Sequence, residues 1–259
     1  MARAEELARD PVPGDRADER PYAPGRVEAL AERVRPTDLA RDRRLPVLAA
    51  FDGLLPASGL RRGTTVAVDA RPGVAGATSL ALAVAAGASQ AGSWVAAVGL
   101  GSLGLVAASE LGVAFERLVL IADPGRERAG WASVVAALVD GFDVVLVAAE
   151  GRLRPADARR LVARVRERGG VLVGVGGDLP GAGERSPVRL TVTAARWEGL
   201  GAGWGQLQGR RVTVCSGGRG EAARPRRAEL WLPDANGRVA PAEPIATPIP
   251  LHPRRRRDG

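Results

Sequence analysis

Five short, mainly apolar runs recur along the chain with helix-like segments between them: TTVAVDA (64–70), SWVAAVGL (93–100), LVLIAD (118–123), DVVLVAA (143–149) and VLVGVGG (171–177). A strand that is apolar at nearly every position must be buried on both faces, and strands alternating with helices pair in parallel. The pattern therefore demands an α/β fold with a mostly parallel sheet covered on both sides. Helices are expected from about Thr78 to Ala91, over Leu105 to Leu111, and through WASVVAALVD (131–140). A fourth is expected through PADARRLVARVRER (155–168), with Leu161, Val162 and Val165 inward and arginines outward. After residue 177 the alternation stops. RLTVTAARW, RRVTVCS and AELWLP read as strands joined by glycine-rich turns, an antiparallel extension of the sheet.

Outside this block the composition changes. Residues 1–44 form a charged N-terminal region with acids and arginines nearly balanced, in which Val27, Leu30, Ala31 and Val34 trace one face of a short helix ended by Pro36. Such a helix has no core of its own and would dock on its domain or on a partner. Residues 45–235 form the core, and 236–259 a Pro/Arg-rich tail expected to be disordered.

Several chemistries are removed by counting. The single cysteine, Cys215, permits no internal disulfide and no cysteine cluster, and the single histidine, His252, lies in the tail. Ser-His-Asp, Cys-His and histidine-based metal sites are thereby excluded. No secretory h-region or membrane-length helical run is seen, so a cytoplasmic, nucleoid-associated protein without membrane contact is expected. The net charge is +8, and from Arg196 onward there are 12 arginines against 6 acids. A basic C-terminal third suits nucleic acid or an acidic partner; a merely solvated arginine-rich surface is the other reading.

The segment ARPGVAGATSLALAVAAGA (70–88) stands where a phosphate loop belongs, between the first apolar strand and a helix. Against G-x-x-x-x-G-K-[ST], Arg71 replaces the first glycine, Gly73 lies inside the loop, Gly76 is the second glycine, Ala77 replaces the lysine, and Thr78, followed by Ser79, supplies the hydroxyl. All the basic residues are arginine, so no lysine can be supplied from elsewhere in the chain. The two hydroxyls have a plain structural reading as N-terminal helix caps, and a helix N-terminus also favours an anion. ATP with Mg²⁺ is a doubtful ligand here, and no cofactor or metal is expected.

Two basic clusters stand out: Arg224, Arg226 and Arg227, followed by Trp231, and Arg254, Arg255, Arg256 and Arg257 at the end. Both are candidates for binding DNA or a partner protein. Trp197, Trp204 and Trp231 could stack on bases, although an indole on a strand is more often core. Asp140 and Asp143 suit helix-to-strand punctuation rather than catalysis.

Read as a whole, the order of elements resembles the RecA-type recombinase core. The likeness is carried by LPVLAAFDGLLPASGLRRGTTVAVDARPGVAGATSLALAVAAGA, SELGVAFERLVLIADPG and VRLTVTAARWEGLGAGWGQLQGRRVTVC, and spans roughly residues 45–235. With its RPRRAELWLP ending, the pattern is most similar to the actinobacterial RecA-like proteins called ImuA-prime, accessory members of a mutagenic translesion-synthesis complex. The resemblance implies a RecA-like fold but not its catalysis. The lysine position is Ala77, the water-activating acid would fall near Leu100, and the Walker B acid near Ala148 or Ala149, with Glu150 just beyond. The segments that grip DNA in RecA are reduced to AAEGRLRP and GGDLPGAGERSP. Phosphoryl transfer depends on positioned charge, so a pseudo-ATPase is expected. The implied partners are a Y-family-polymerase-like adaptor and an error-prone replicative-type polymerase subunit. Single-stranded DNA and self-association are further candidates. A nucleotide-dependent ATPase and a stand-alone single-stranded DNA-binding protein are the alternatives.

Overall fold

The computed structural model describes residues 44–124, 128–149, 153–179, 186–201 and 204–243. The predicted helix at 27–34, Glu150 and Arg254 to Arg257 lie outside them. The strands are β1 (Arg44–Pro46), β2 (Gly59–Arg61), β3 (Thr64–Ala70), β4 (Val95–Val98), β5 (Leu118–Ile121) and β6 (Val144–Ala148), followed by β7 (Val171–Val175), β8 (Val188–Leu200), β9 (Gly205–Gly218), β10 (Arg226–Trp231) and β11 (Ala240–Pro241). The helices are α1 (Ala77–Gln90), α2 (Leu105–Glu110), α3 (Arg128–Gly141) and α4 (Pro155–Arg168).

Nine strands form one sheet in the order β11-β10-β9-β8-β3-β7-β6-β4-β5, and β1 pairs with β2 in a separate ribbon. The strands from β8 across to β5 are all parallel. Strands β9, β10 and β11 continue the sheet in antiparallel fashion. The protein is thus α/β with a large, mostly parallel mixed sheet, as the apolar runs predict. The extension runs further than expected. Ala240 pairs with Trp231 and Pro241 with Leu230, so the ordered sheet continues past the boundary at residue 235. The reason lies in the turn: Asp234 Oδ1 accepts from the N–H groups of Asn236 (2.8 Å) and Arg238 (2.9 Å) and returns the chain to the sheet edge.

Each sheet face carries its own core. On one face α1 packs against Val66, Val68, Val173, Leu190 and Val214, and Leu80 through Ser89 are buried without interruption. A helix apolar all round must be covered on both sides, and the segment around β1 supplies the outer cover. A Cβ on Gly87 would stand 2.4 Å from the Val47 carbonyl carbon, so the close approach requires glycine there. On the other face α3 and α4 bury Trp131, Leu138, Leu161 and Val165 against Val98, Val145 and Leu172. Asp140 and Asp143 both serve structure. Asp140 accepts from Arg164 and Arg168 on α4, while buried Asp143 accepts from Arg62 (2.8 Å) and the Trp94 N–H (3.1 Å).

Candidate phosphate-loop site

Strand β3 lies where the topology reverses. The chain leaves it toward β4 on one side and later crosses from β7 to β8 on the other. In open α/β sheets the crevice at the carboxyl ends of strands at such a point is the usual ligand site. The 71–76 segment occupies it. Arg71 donates its N–H to the Val192 carbonyl (2.9 Å), Val74 closes a turn onto the Arg71 carbonyl (2.9 Å), and Gly73 and Gly76 take φ values of 79° and 129°. Only glycine adopts these angles without strain.

Helix α1 begins at Ala77 with Gly76 as its N-cap, and no side chain caps it. The reading of Thr78 or Ser79 as capping hydroxyls is therefore corrected. Both are half-buried in the first turn, inside the helix, where a side chain cannot replace the preceding residue as cap. That turn contains no acid either.

One contact at this loop is invisible in the sequence motif. Arg210, on β9, is 8% exposed and lays its guanidinium on Gly76: an added Cβ there would lie 3.6 Å from Nη2 and 3.7 Å from Nη1. Arg210 Nε donates to the Leu232 carbonyl (2.7 Å), and its Cζ stands 5.3 Å from the centroid of the Trp197 ring. Burial lowers its pKa, yet an arginine so shifted remains a cation at neutral pH. A fixed positive charge thus faces the positive end of α1, a pairing that favours an anion between them.

Among the described residues, the positions that correspond to the acids of a phosphoryl-transfer site carry none. Leu100 after β4 is buried and apolar, as is Ala149 after β6, while Ala148 is half-buried. The acids near the carboxyl end of β3 lie elsewhere. Asp69 alternates with Val66 and Val68 and so faces away from α1. It shares Arg189 with Asp178 in an ion-pair triad that ties β3, β8 and the turn after β7 together. The sequence reading missed this triad because its members are 120 and 11 residues apart along the chain.

The other predicted residues do not form one site. Arg226 and Arg227 are adjacent on β10, so their side chains leave opposite faces of the sheet. Arg226 pairs with Ser216 and Arg227 with Cys215, and exposed Arg224 lies in the turn before them. Trp231 is half-buried under the Arg211 guanidinium, 5.9 Å from its centroid, and Arg211 Nε donates to Glu229 (2.9 Å). The expectation that the strand tryptophans are core fails for two of them. Trp197 is 45% and Trp204 77% exposed, because β8 and β9 run on as a hairpin beyond the packed layers. Leu200 (60%) and Leu207 (53%) are exposed on the same arm. Among the described residues no helix is long and apolar enough to cross a membrane, and no cluster of His, Cys, Asp and Glu could hold a metal.

The MT3502 N-terminal domain model matches residues 53–181, which takes in the strands from β2 to β7 and stops before the antiparallel extension. The chain is also 36% identical over 150 residues to "Uncharacterized protein Rv3395c" of Mycobacterium tuberculosis (strain ATCC 25618 / H37Rv), a match covering 56% of this chain and 72% of that one. On that identity and coverage, the chain belongs to the mycobacterial family that includes Rv3395c and carries the MT3502 N-terminal domain.

Proposed function

We propose that the protein is a RecA-like, catalytically silent binding subunit of a DNA-damage-induced, error-prone translesion-synthesis complex of the ImuA-prime kind. In this reading it holds a Y-family-polymerase-like adaptor and, through it, an error-prone replicative-type polymerase subunit. The observation that carries the reading is the loop at 71–76. It is a glycine-containing turn between β3 and α1 at the switch point of the sheet, and under the RecA resemblance Ala77 falls in the lysine position and Leu100 and Ala149 near the positions of the acids. The hairpin arm supports it from the binding side, since it exposes four large apolar side chains, Trp197, Leu200, Trp204 and Leu207, of the kind found at protein interfaces.

Calorimetric titration tests the reading. With Mg-ATP no heat is expected, and with the purified adaptor a saturable isotherm is expected. Micromolar Mg-ATP binding that disappears in Thr78→Ala would overturn the catalytically silent account.

A second reading, a nucleotide-dependent protein in which arginine supplies the missing charge, has one specific observation in its favour: the Arg210 guanidinium against Gly76. It requires that Mg-ATP binding be present in the wild type and lost in Arg210→Ala.

A further inference from the structure

At the opposite end of β3 from the loop, around Thr64, the surface opens into a cleft of about 920 Å³ between α4, the β1–β2 ribbon and the turn after β9. Among the described residues six arginines line it, Arg44, Arg61, Arg62, Arg159, Arg166 and Arg219, with Glu221 the only acid. We propose that this cleft binds the sugar–phosphate backbone of a single-stranded nucleic acid, a proposal that rests on the DNA-related reading above.

The charges there are only partly offset. Arg44 Nη2 pairs with Glu221 at 2.5 Å, and the hydrogen bond and charge of Arg44, with the charge of nearby Arg61, hold the Glu221 carboxyl below its usual range. Arg62 is drawn to Asp143 (2.8 Å). Arg159 and Arg166 have no ion pair among the described residues, and both are exposed. Uncompensated like charges oppose folding, so their convergence on one cleft is a cost that a polyanion would reverse. The walls also include Leu60, Val162 and Val188, and apolar walls of low polarisability focus the field of the guanidinium groups into the opening.

Geometry favours a chain of phosphates over one small anion. Arg159 and Arg166 are seven residues apart on α4, so they share one face with a rise of about 10 Å between them. Beside the end of α4, Arg61 and Arg62 precede the turn at Gly63. That residue has φ 73°, donates its N–H to the Gly170 carbonyl (2.8 Å), and sits so close that an added Cβ would be 3.4 Å from the Arg166 carbonyl. Arginines spaced along one face of the helix in this way suit successive phosphates of a strand. Among the described residues the lining contains no aromatic side chain on which to stack a base. Recognition through phosphate alone is independent of sequence and steeply dependent on salt.

The test is fluorescence anisotropy of a labelled oligothymidylate with the full chain across a potassium chloride series. Binding is expected in the wild type. Arg159→Glu/Arg166→Glu is expected to weaken it about 10-fold per arginine and to reduce the log–log salt slope by about 0.7 per lost contact. Arg154→Glu/Arg160→Glu, which changes net charge equally at two exposed arginines outside the cleft lining, is expected to leave affinity within about 2-fold. Circular dichroism checks that each variant folds, and Arg159→Gln/Arg166→Gln replaces the reversal if it does not. Absence of wild-type binding overturns the proposal. So does binding that survives the cleft changes but is lost when Arg254 to Arg257 become alanine, and so does displacement of the strand by equimolar ATP or tripolyphosphate. Adaptor binding measured on the same preparation separates the two ideas: oligonucleotide binding without it leaves the cleft standing and removes the complex, and the reverse removes only the cleft.

Discussion

Gly87 shows how far a single position can decide whether α1 fits its place. A Cβ there would lie 2.4 Å from Val47 backbone carbon and 2.7 Å from the Leu48 nitrogen, both backbone atoms that cannot swing aside. Alanine improves intrinsic helix propensity by about 1 kcal/mol, while overpacking a filled core costs about 1–3 kcal/mol. Gly87→Ala is therefore expected to lower stability in urea denaturation; a variant more stable than the wild type would contradict the tight seat of α1. Asp140 gives a pH-dependent case. Burial pushes its carboxyl up, but the hydrogen bond and charge of Arg164, with Arg168, outweigh this and hold it below its ordinary value of 3.8. A depressed folded-state pKa contributes stability that is present above the unfolded value and is lost as pH falls through the folded one. Both arginines are largely exposed, so Asp140→Asn should cost only about 0.5–1 kcal/mol at pH 7. The difference from wild type should shrink below about pH 4, and chemical denaturation at the two pH values reads it. A gap that widened in acid would show that another group sets the effect.

Among the elements, the β8–β9 hairpin departs most from what the sequence suggests. Its strands pair from Val188↔Gly218 to Leu200↔Gly205, with register shifts after Val192 and Glu198, and its tip presents Trp204 and Leu207 to solvent. If this arm holds the adaptor, Trp204→Ser and Leu207→Ser should each leave stability within about 0.5 kcal/mol and weaken adaptor binding by about 10-fold or more. Unchanged affinity in both, measured by calorimetry, would move the contact elsewhere. The parallel strands were legible because burial on both faces writes itself as unbroken apolar runs such as VVLVA and VLVGV. The exposed tryptophans were not, since a strand that projects past its sheet has the same local composition as one inside it. The Arg210 contact with Gly76 and the arginine cleft were equally hidden. Each joins segments more than 90 residues apart, brought together only by strand order and by the crossing of α4 beside the β1–β2 ribbon.

At the scale of the whole molecule, the question is where the folded unit stops. Composition changes at Asp234, where proline and arginine begin to dominate, yet the sheet does not end there. The Asp234 turn brings Val239 onto the α1-side core, Ala240 and Pro241 onto the edge of β10, and Ala242, which is 8% exposed, to a hydrogen bond from its N–H to the Glu229 carbonyl (2.9 Å). Leu230, which is buried, is the register partner of Pro241 on this return. Removing it would take Val239 and Ala242 out of the core and return to water the apolar surface they cover. Apolar area returned to water costs about 25 cal/mol per Å², so losing this cover should cost about 2–4 kcal/mol. Two truncations separate the edge of the fold from the edge of the composition. A chain ending at Glu243 should melt within about 2 °C of the full protein, while one ending at Asp234 should melt about 5 °C or more lower. Differential scanning calorimetry on the three chains decides between them. Equal melting of all three would mean that β11 adds nothing to the core, and a large loss on removing only 244–259 would place folding determinants beyond the sheet described here.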